Sequence, residues 1–191
     1  MDDYKELLAG VDAWYRSVQE GHPAEVPCTR GCRDCCIGLF DVSLADRDLL
    51  REGLAQAPPE IRQDIQARAS ALVDRLREIE PDLGDTLDGK SPDAIDDLCD
   101  LAGDVECPVL GRDGECRLYE HRPLTCRMSG VPVVDLSGRA VFPEGCAKCT
   151  LKPHDTPRLD CERISKRERK ILKARYPGGS GITLFIAQAL R

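Results

Sequence analysis

Aromatic residues are scarce, at 4% of the 191 residues, which leaves too few flat rings for a base-stacking platform of the single-strand-binding kind. An excess of positive charge is also lacking. With 27 Lys and Arg against 34 Asp and Glu, the net charge of -7 argues against a nucleic-acid backbone as the main partner. No apolar run approaches membrane-spanning length, and no basic-then-apolar leader follows Met1. The chain is therefore expected in the cytosol, away from any membrane, where thiols stay reduced.

The histidines, His22, His121 and His154, stand outside any His-Glu-x-x-His pattern and beside no plausible serine nucleophile, so conventional catalysis has little to rest on. His121 could supply a nitrogen ligand, but a surface histidine is the plainer reading. Gly178-Gly179-Ser180-Gly181 lacks both the lysine and the preceding strand of a phosphate loop. There is no internal repeat and no low-complexity tract. Whether the chain is an enzyme stays open.

Cysteine, by contrast, is plentiful: eleven in a chain long enough to bury a real core without cross-links. An odd number fits full disulfide pairing poorly, and in a reducing compartment such a count points to metal chelation. With 41% hydrophobic and 32% charged residues, the composition is that of a soluble globular protein.

The stretch Cys28-Thr29-Arg30-Gly31-Cys32-Arg33-Asp34-Cys35-Cys36 concentrates the chemistry. Cys32-x2-Cys35 can wrap one turn of backbone so that two sulfurs face one ion. The wider Cys28 to Cys32 step suits a loop that feeds different irons of a cluster. Cys35 and Cys36 leave neighbouring Cα atoms in different directions, so both rarely suit one small tetrahedral ion. Either one ligates while the other packs, or both serve a polynuclear centre, or two centres lie on either side of the loop.

A second knuckle-type pair is Cys146-x2-Cys149, and between the two lie Cys107, Cys116 and Cys126. These nine cysteines are placed in loops or hairpin ends. Cys99 and Cys161 fall in predicted helix interiors, and Cys99 reads as a packing residue. One four-ligand site would leave five thiols unexplained, so more than one ion, or a cluster, is expected.

The rest of the chain reads as helices. Tyr4, Leu7, Leu8, Val11, Trp14, Tyr15 and Val18 form the stripe of a helix over 2–20. Ser43 caps a second helix over 44–55, with Asp46 in its first turn. Pro58-Pro59 opens a third helix running to about Glu80, with Ile61, Ile65, Ala69, Leu72, Leu76 and Ile79 inward. A soft Asp- and Gly-rich segment spans 82–90. Ser91-Pro92 opens a short fourth helix with Ile95, Leu98, Cys99 and Ala102 inside. Residues 107–119 look like a small hairpin, and a helical turn carries Cys126. Two short strands flank Asp135–Gly138. A basic helix over about 159–176 precedes an apolar terminal helix over 182–190. Lys166, Arg167, Arg169, Lys170, Lys173 and Arg175 read as a solvated face.

The combined pattern resembles a known family. Cys28-x3-Cys32-x2-Cys35-Cys36, then Cys107-Pro108-Val109-Leu110, Gly114-Glu115-Cys116, Tyr119-Glu120-x-Arg122-Pro123-x2-Cys126-Arg127 and a late cysteine pair, is similar to the bacterial YkgJ-type cysteine-cluster family of zinc- or iron-chelating domains. What the resemblance implies is metal binding through Cys28, Cys32, Cys35, Cys36, Cys107, Cys116, Cys126, Cys146 and Cys149. Flagellin lysine N-methylases carry a similar cluster but are longer proteins, and this chain lacks the length for an extra catalytic domain.

The Gly111–Gly114 turn aims Cys116 back toward the loop, and Arg122 and Arg127 either offset thiolate charge or pair with Glu120 or Glu115. Tyr119 is expected in the core.

The expectation is thus an α-rich single domain with small β-hairpins, its 28–149 segment a cysteine-cluster core on which the 2–20 and 159–190 helices pack. Its cofactor is an iron–sulfur cluster or iron, alternatively zinc, serving electron transfer or metal handling. An iron–sulfur enzyme and a structural zinc module are the competing readings. The Cys28, Cys32, Cys35 spacing also matches radical S-adenosylmethionine enzymes, but helix follows helix where those use repeated βα units. Thiol–disulfide exchange at Cys146-x2-Cys149 lacks a βαβ context. A protein partner docking on the C-terminal helices is a further possibility, favoured by exposure of Leu184, Phe185 and Ile186 and opposed by their burial.

Overall fold

The structure is a computed structural model that describes residues 1–29 and 31–191; Arg30, within the Cys28–Cys36 loop, lies outside the described residues. Over the described residues it is 51% helical, with seven α-helices and two small antiparallel two-stranded sheets, which puts it in the α-rich class. In chain order the elements are α1 (Asp2–Gly21), β1 (Asp41–Ser43), α2 (Leu44–Gln56), α3 (Pro59–Ile79), α4 (Pro92–Ala102), α5 (Leu124–Met128), β2 (Val133–Val134), β3 (Ala140–Phe142), α6 (Cys161–Arg175), β4 (Thr183–Phe185) and α7 (Ile186–Leu190). Single 3₁₀ turns cover Asp34–Cys36 and Tyr119–His121. No helix among the described residues is long and apolar enough to cross a membrane.

The chain forms two compact units, each discontinuous in sequence. The first comprises Met1–Cys35 and Leu124–Ser180, the second Cys36–Pro123 and Gly181–Arg191.

In the first unit α1 packs on α5 and α6. Its buried stripe is Tyr4, Leu7, Leu8, Val11, Trp14 and Val18, as the three- and four-residue spacing predicts. Trp14 and Val18 join Val26, Val131, Val133, Leu151 and Leu159 in one core cluster, and the half-buried Cys28, Cys149 and Cys161 pack against it. The indole N–H of Trp14 donates to the Pro157 carbonyl at 2.9 Å, which satisfies its one polar atom. Arg127 of α5, 7% exposed, pairs with Asp12 of α1. Asp12 is a partner that short-range spacing did not offer for Arg127. Strands β2 and β3 close around Asp135, whose carboxylate accepts from Ser137 and Arg139. Those hydrogen bonds, Ser137's hydroxyl first, hold its carboxyl below the usual range. Cys161 is the first residue of α6 rather than an interior one.

In the second unit Ser43 and Asp46 cap α2 reciprocally: the Asp46 N–H donates to Ser43 Oγ at 3.3 Å and the Ser43 N–H to Asp46 Oδ2 at 3.1 Å. Leu98, Ala102, Ile95 and Cys99 of α4 face Leu76, Leu83, Leu87, Val105 and Phe185, so Cys99 is a packing residue. The segment over 82–90 is held more firmly than its composition suggests. Leu83 and Leu87 are buried, the Leu87 N–H donates to the Thr183 carbonyl, and Gln188 Nε2 donates to the Gly84 carbonyl.

The C-terminal segment differs from expectation. Thr183–Phe185 is a strand paired with Asp41–Ser43 (Asp41 opposite Phe185, Val42 opposite Leu184, Ser43 opposite Thr183), and helix begins only at Ile186. An apolar run of this length reads equally as helix or strand, and the partner strand here lies 142 positions away (Val42 to Leu184), beyond any local pattern. Leu184, Phe185 and Ile186 are 2%, 1% and 4% exposed, so the terminal apolar run is core and offers no docking face. Tyr119 also departs from expectation: it is 56% exposed, with the Arg122 guanidinium stacked 3.7 Å from its ring centroid.

Phe185→Ala is expected to destabilise the protein by about 3–5 kcal/mol, the usual cost of emptying a buried aromatic site, in chemical denaturation followed by circular dichroism. A loss under about 1 kcal/mol would mean that β4 is dispensable to this core.

Candidate metal centre

All eleven cysteines carry thiols rather than disulfides, and all are half-buried. The nine loop cysteines divide between the units at the vicinal pair: Cys28, Cys32, Cys35, Cys126, Cys146 and Cys149 belong to the first, and Cys36, Cys107 and Cys116 to the second.

In the first unit the loop and the late knuckle lie together. Negative charge on Cys146, Cys32 or Cys35 is felt at Cys28, and charge on Cys146 is felt at Cys149. The knuckle is tied down by backbone. The Cys146 N–H donates to the Gly130 carbonyl at 3.1 Å, the Cys149 N–H to the Cys146 carbonyl at 2.9 Å, and the Thr150 N–H to the Glu25 carbonyl at 2.9 Å. Gly145 must lack a side chain, because a Cβ there would lie 2.8 Å from Cys149 Cβ and 2.8 Å from the Gly130 carbonyl oxygen. Gly31, between Cys28 and Cys32, holds a φ of 84°, a conformation that glycine adopts at no steric cost.

Cys28 and Cys149 each have a donor that answers burial, and a cation lies beside Cys32. Burial pushes the Cys28 thiol up, while the Tyr15 hydroxyl, donating to its sulfur at 3.4 Å, pulls it back. Burial likewise raises Cys149, against a backbone N–H from Leu151 on its sulfur. Lys148, inside the knuckle, sets its Nζ 2.9 Å from Asp34 Oδ1 and 4.0 Å from Cys32 Sγ. The Asp34 contact, with the negative charge of Asp34 and Cys32, raises the lysine above its ordinary range.

In the second unit Cys36 and Cys107 are brought together by strand pairing. Ile37 bridges Glu106 in antiparallel register, and the Cys107 N–H donates to the Cys36 carbonyl at 3.0 Å. That hydrogen bond ties the backbone of Cys107 directly to that of Cys36 at the end of its 3₁₀ turn. Leu110 bridges Cys116 antiparallel, and the turn between them includes Gly114 at a φ of 80°. A negative charge on Cys116 is felt at Cys107. Arg68 of α3 clamps this corner, donating to the Leu110 carbonyl and, at 3.2 Å, to the Cys107 carbonyl. Burial pushes the Cys107 thiol up to about 11, with N–H groups of Val109 and Leu110 and the Arg68 charge opposing.

Helix α5 carries Cys126. His121 is packed, not superficial: its ring lies where a Cβ on Gly53 would fall, 2.6 Å from its Cγ, with its Nε2 4.0 Å from Glu52.

Sequence reasoning missed Lys148, Arg68 and Gly145 altogether, and took Tyr15 as plain core. Tyr15 sits in the helix stripe, so only its hydroxyl was unaccounted for. Arg68 lies on the polar side of α3, where nothing local distinguishes it from a solvated arginine.

The result is an α-rich protein whose irregular loops gather donor-equipped thiols. The chain belongs to the CxxCxxCC family, described as a putative zinc- or iron-chelating domain, whose family model matches residues 27–147. Here three residues, not two, separate the first two cysteines, and Cys149 falls just beyond the matched range. No curated protein and no solved structure matches the chain.

Zinc and iron suit this donor set: the sulfurs are soft ligands, and N–H and O–H groups aimed at sulfur favour the thiolate that a metal requires. Among the described residues no group of three or more Cys, His, Asp or Glu is arranged to hold an ion. Protonated thiols have no mutual attraction, and convergence on one point is what a cation supplies.

Two outcomes follow for the metal-free protein. Cys107 keeps its proton up to about 11 when folded and has an ordinary value of 9.0. Its contribution to stability is therefore whole below about pH 9 and lost as pH rises through about 11, because the unfolded chain gives up the proton first. Denaturation midpoints should fall across that window, and less steeply in Cys107→Ser. Gly145→Ala should lower stability by about 1–3 kcal/mol, as overpacking against backbone does; an unchanged melting temperature would show that the knuckle yields.

Proposed function

We propose that this protein is a metal-binding protein that holds iron or zinc in two thiolate groups, one in each unit. The first group is Cys28, Cys32, Cys35, Cys146 and Cys149, with Cys126 as a further candidate. The second is Cys36, Cys107 and Cys116. The observation that carries the reading is the contact of Lys148, inside the Cys146–Cys149 knuckle, with Asp34 and Cys32 of the first loop, two stretches more than a hundred residues apart.

Five linked thiols exceed what one tetrahedral ion takes, which favours iron in an iron–sulfur cluster for the first group. The N–H donors on Cys107 and Cys149 suit a zinc knuckle as well, so structural zinc is the second reading. When bound, an iron–sulfur cluster would supply one-electron transfer, and zinc would supply a cross-link between loops. The chain's own residues do the rest. Leu151, Val109, Leu110 and Tyr15 hold donors at the sulfurs that must lose protons, and Arg68 keeps the Cys107 turn closed. The vicinal cysteines serve different groups, which answers the directional conflict between adjacent Cα atoms.

Anaerobic purification with metal and acid-labile sulfide analysis tests the metal. Iron with sulfide supports the cluster; stoichiometric zinc without sulfide defeats it. The division between groups has its own test. Cys35→Ser and Cys36→Ser should each remove only part of the bound metal, and the double variant should remove the sum. If either single change empties the whole protein, the two groups are one centre.

A further inference from the structure

Two side chains outside the matched residues 27–147 reach the sulfurs of the first group. We infer that Tyr15 and Lys148 are its outer-shell residues and set how tightly it holds metal; this rests on the reading that Cys28, Cys32, Cys35, Cys146 and Cys149 bind zinc or iron.

Tyr15 is aimed by packing. Its ring is half-buried against the first unit's core and meets Trp14 edge-on, centroids 6.3 Å apart. From there the hydroxyl donates to Cys28 Sγ at 3.4 Å. One turn further along α1, Gln19 Nε2 donates to the Cys28 carbonyl at 3.4 Å. Residues four apart share a helix face, so α1 grips the sulfur and the backbone of Cys28 with a single surface. A hydroxyl held on a ligand sulfur orients that sulfur and answers its negative charge, the part an outer-shell partner plays at a metal site.

Lys148 acts at a different sulfur of the group, Cys32. Lying between Cys146 and Cys149, it reaches Asp34 and Cys32 and so joins the knuckle to the loop through a cation. Gathered thiolates repel one another, and a positive charge 4.0 Å from Cys32 Sγ offsets part of that repulsion. The competing description is a core ring and a surface ion pair, the latter worth little by itself.

The test compares wild-type protein with Tyr15→Phe, Lys148→Gln and Lys148→Arg. The probe is zinc(II) in competition with a chromogenic chelator, and cobalt(II) binding followed through its thiolate charge-transfer absorption. Loss of an outer-shell partner typically weakens metal binding about 10- to 100-fold. Tyr15→Phe keeps the ring and should weaken zinc binding at least about tenfold and shift the cobalt absorption. Lys148→Gln should weaken it less, since Lys148 is 57% exposed and screened, and Lys148→Arg should restore it. Exposure also makes the Lys148 variants safe for folding, which circular dichroism of the metal-free proteins checks for all three. Wild-type affinity and an unshifted absorption in folded Tyr15→Phe and Lys148→Gln overturn this inference while leaving metal binding intact. Wild-type protein that takes up neither ion overturns the metal reading itself.

Discussion

A half-buried thiol is a poor ligand until it gives up its proton, and both cysteine groups are organised around that difficulty. Burial raises Cys28, Cys107 and Cys149. The fold offsets the penalty locally, with a phenol at Cys28, one backbone N–H at Cys149, and two N–H groups plus an arginine at Cys107. Burial here serves a purpose beyond packing. Keeping water from sulfur strengthens any bond to a cation, and the fixed donors limit what that desolvation costs.

The donors are fixed because regular structure holds them. Tyr15 is carried by a twenty-residue helix whose neighbouring Trp14 is anchored to the Pro157 carbonyl, and Arg127 pins α5 to the same helix through Asp12. Arg68 reaches the Cys107 corner from α3, itself built on the buried Ile65, Ala69, Val73 and Leu76. In each unit helices supply the rigidity and short loops supply the sulfur. Loops alone would leave the ligands to pay their full ordering entropy when metal arrives.

Much of this was legible in residue order. The stripes of α1 and α4, the Ser43–Asp46 cap, the hairpin around Asp135 and the packing role of Cys99 all follow from short-range patterns that tertiary structure did not override. The family was legible because the spacing of the loop thiols follows its pattern. The pairing of β1 with β4 was not legible: three-residue strands carry almost no periodic signal, and their partner is far away in sequence. The burial of Leu83 and Leu87 was hidden for the same reason, since the contacts that order their acidic, glycine-rich segment come from the end of the chain.

The vicinal pair shows where spacing stops informing and topology takes over. Cys35-Cys36 by itself permits one ligand, a shared polynuclear centre, or two separate groups. The backbone chooses a neighbour for Cys36, because the Cys107 N–H donates to its carbonyl beside the Ile37–Glu106 bridge. On the other side of that peptide bond, Cys35 joins the set sensed by Cys28. Adjacent side chains that diverge are a liability at a single tetrahedral ion, and on the proposed reading the same divergence would let one short loop supply two groups without an intervening spacer. On that reading, a cysteine pair with no residue between its members would be a branching point rather than an oversized bite.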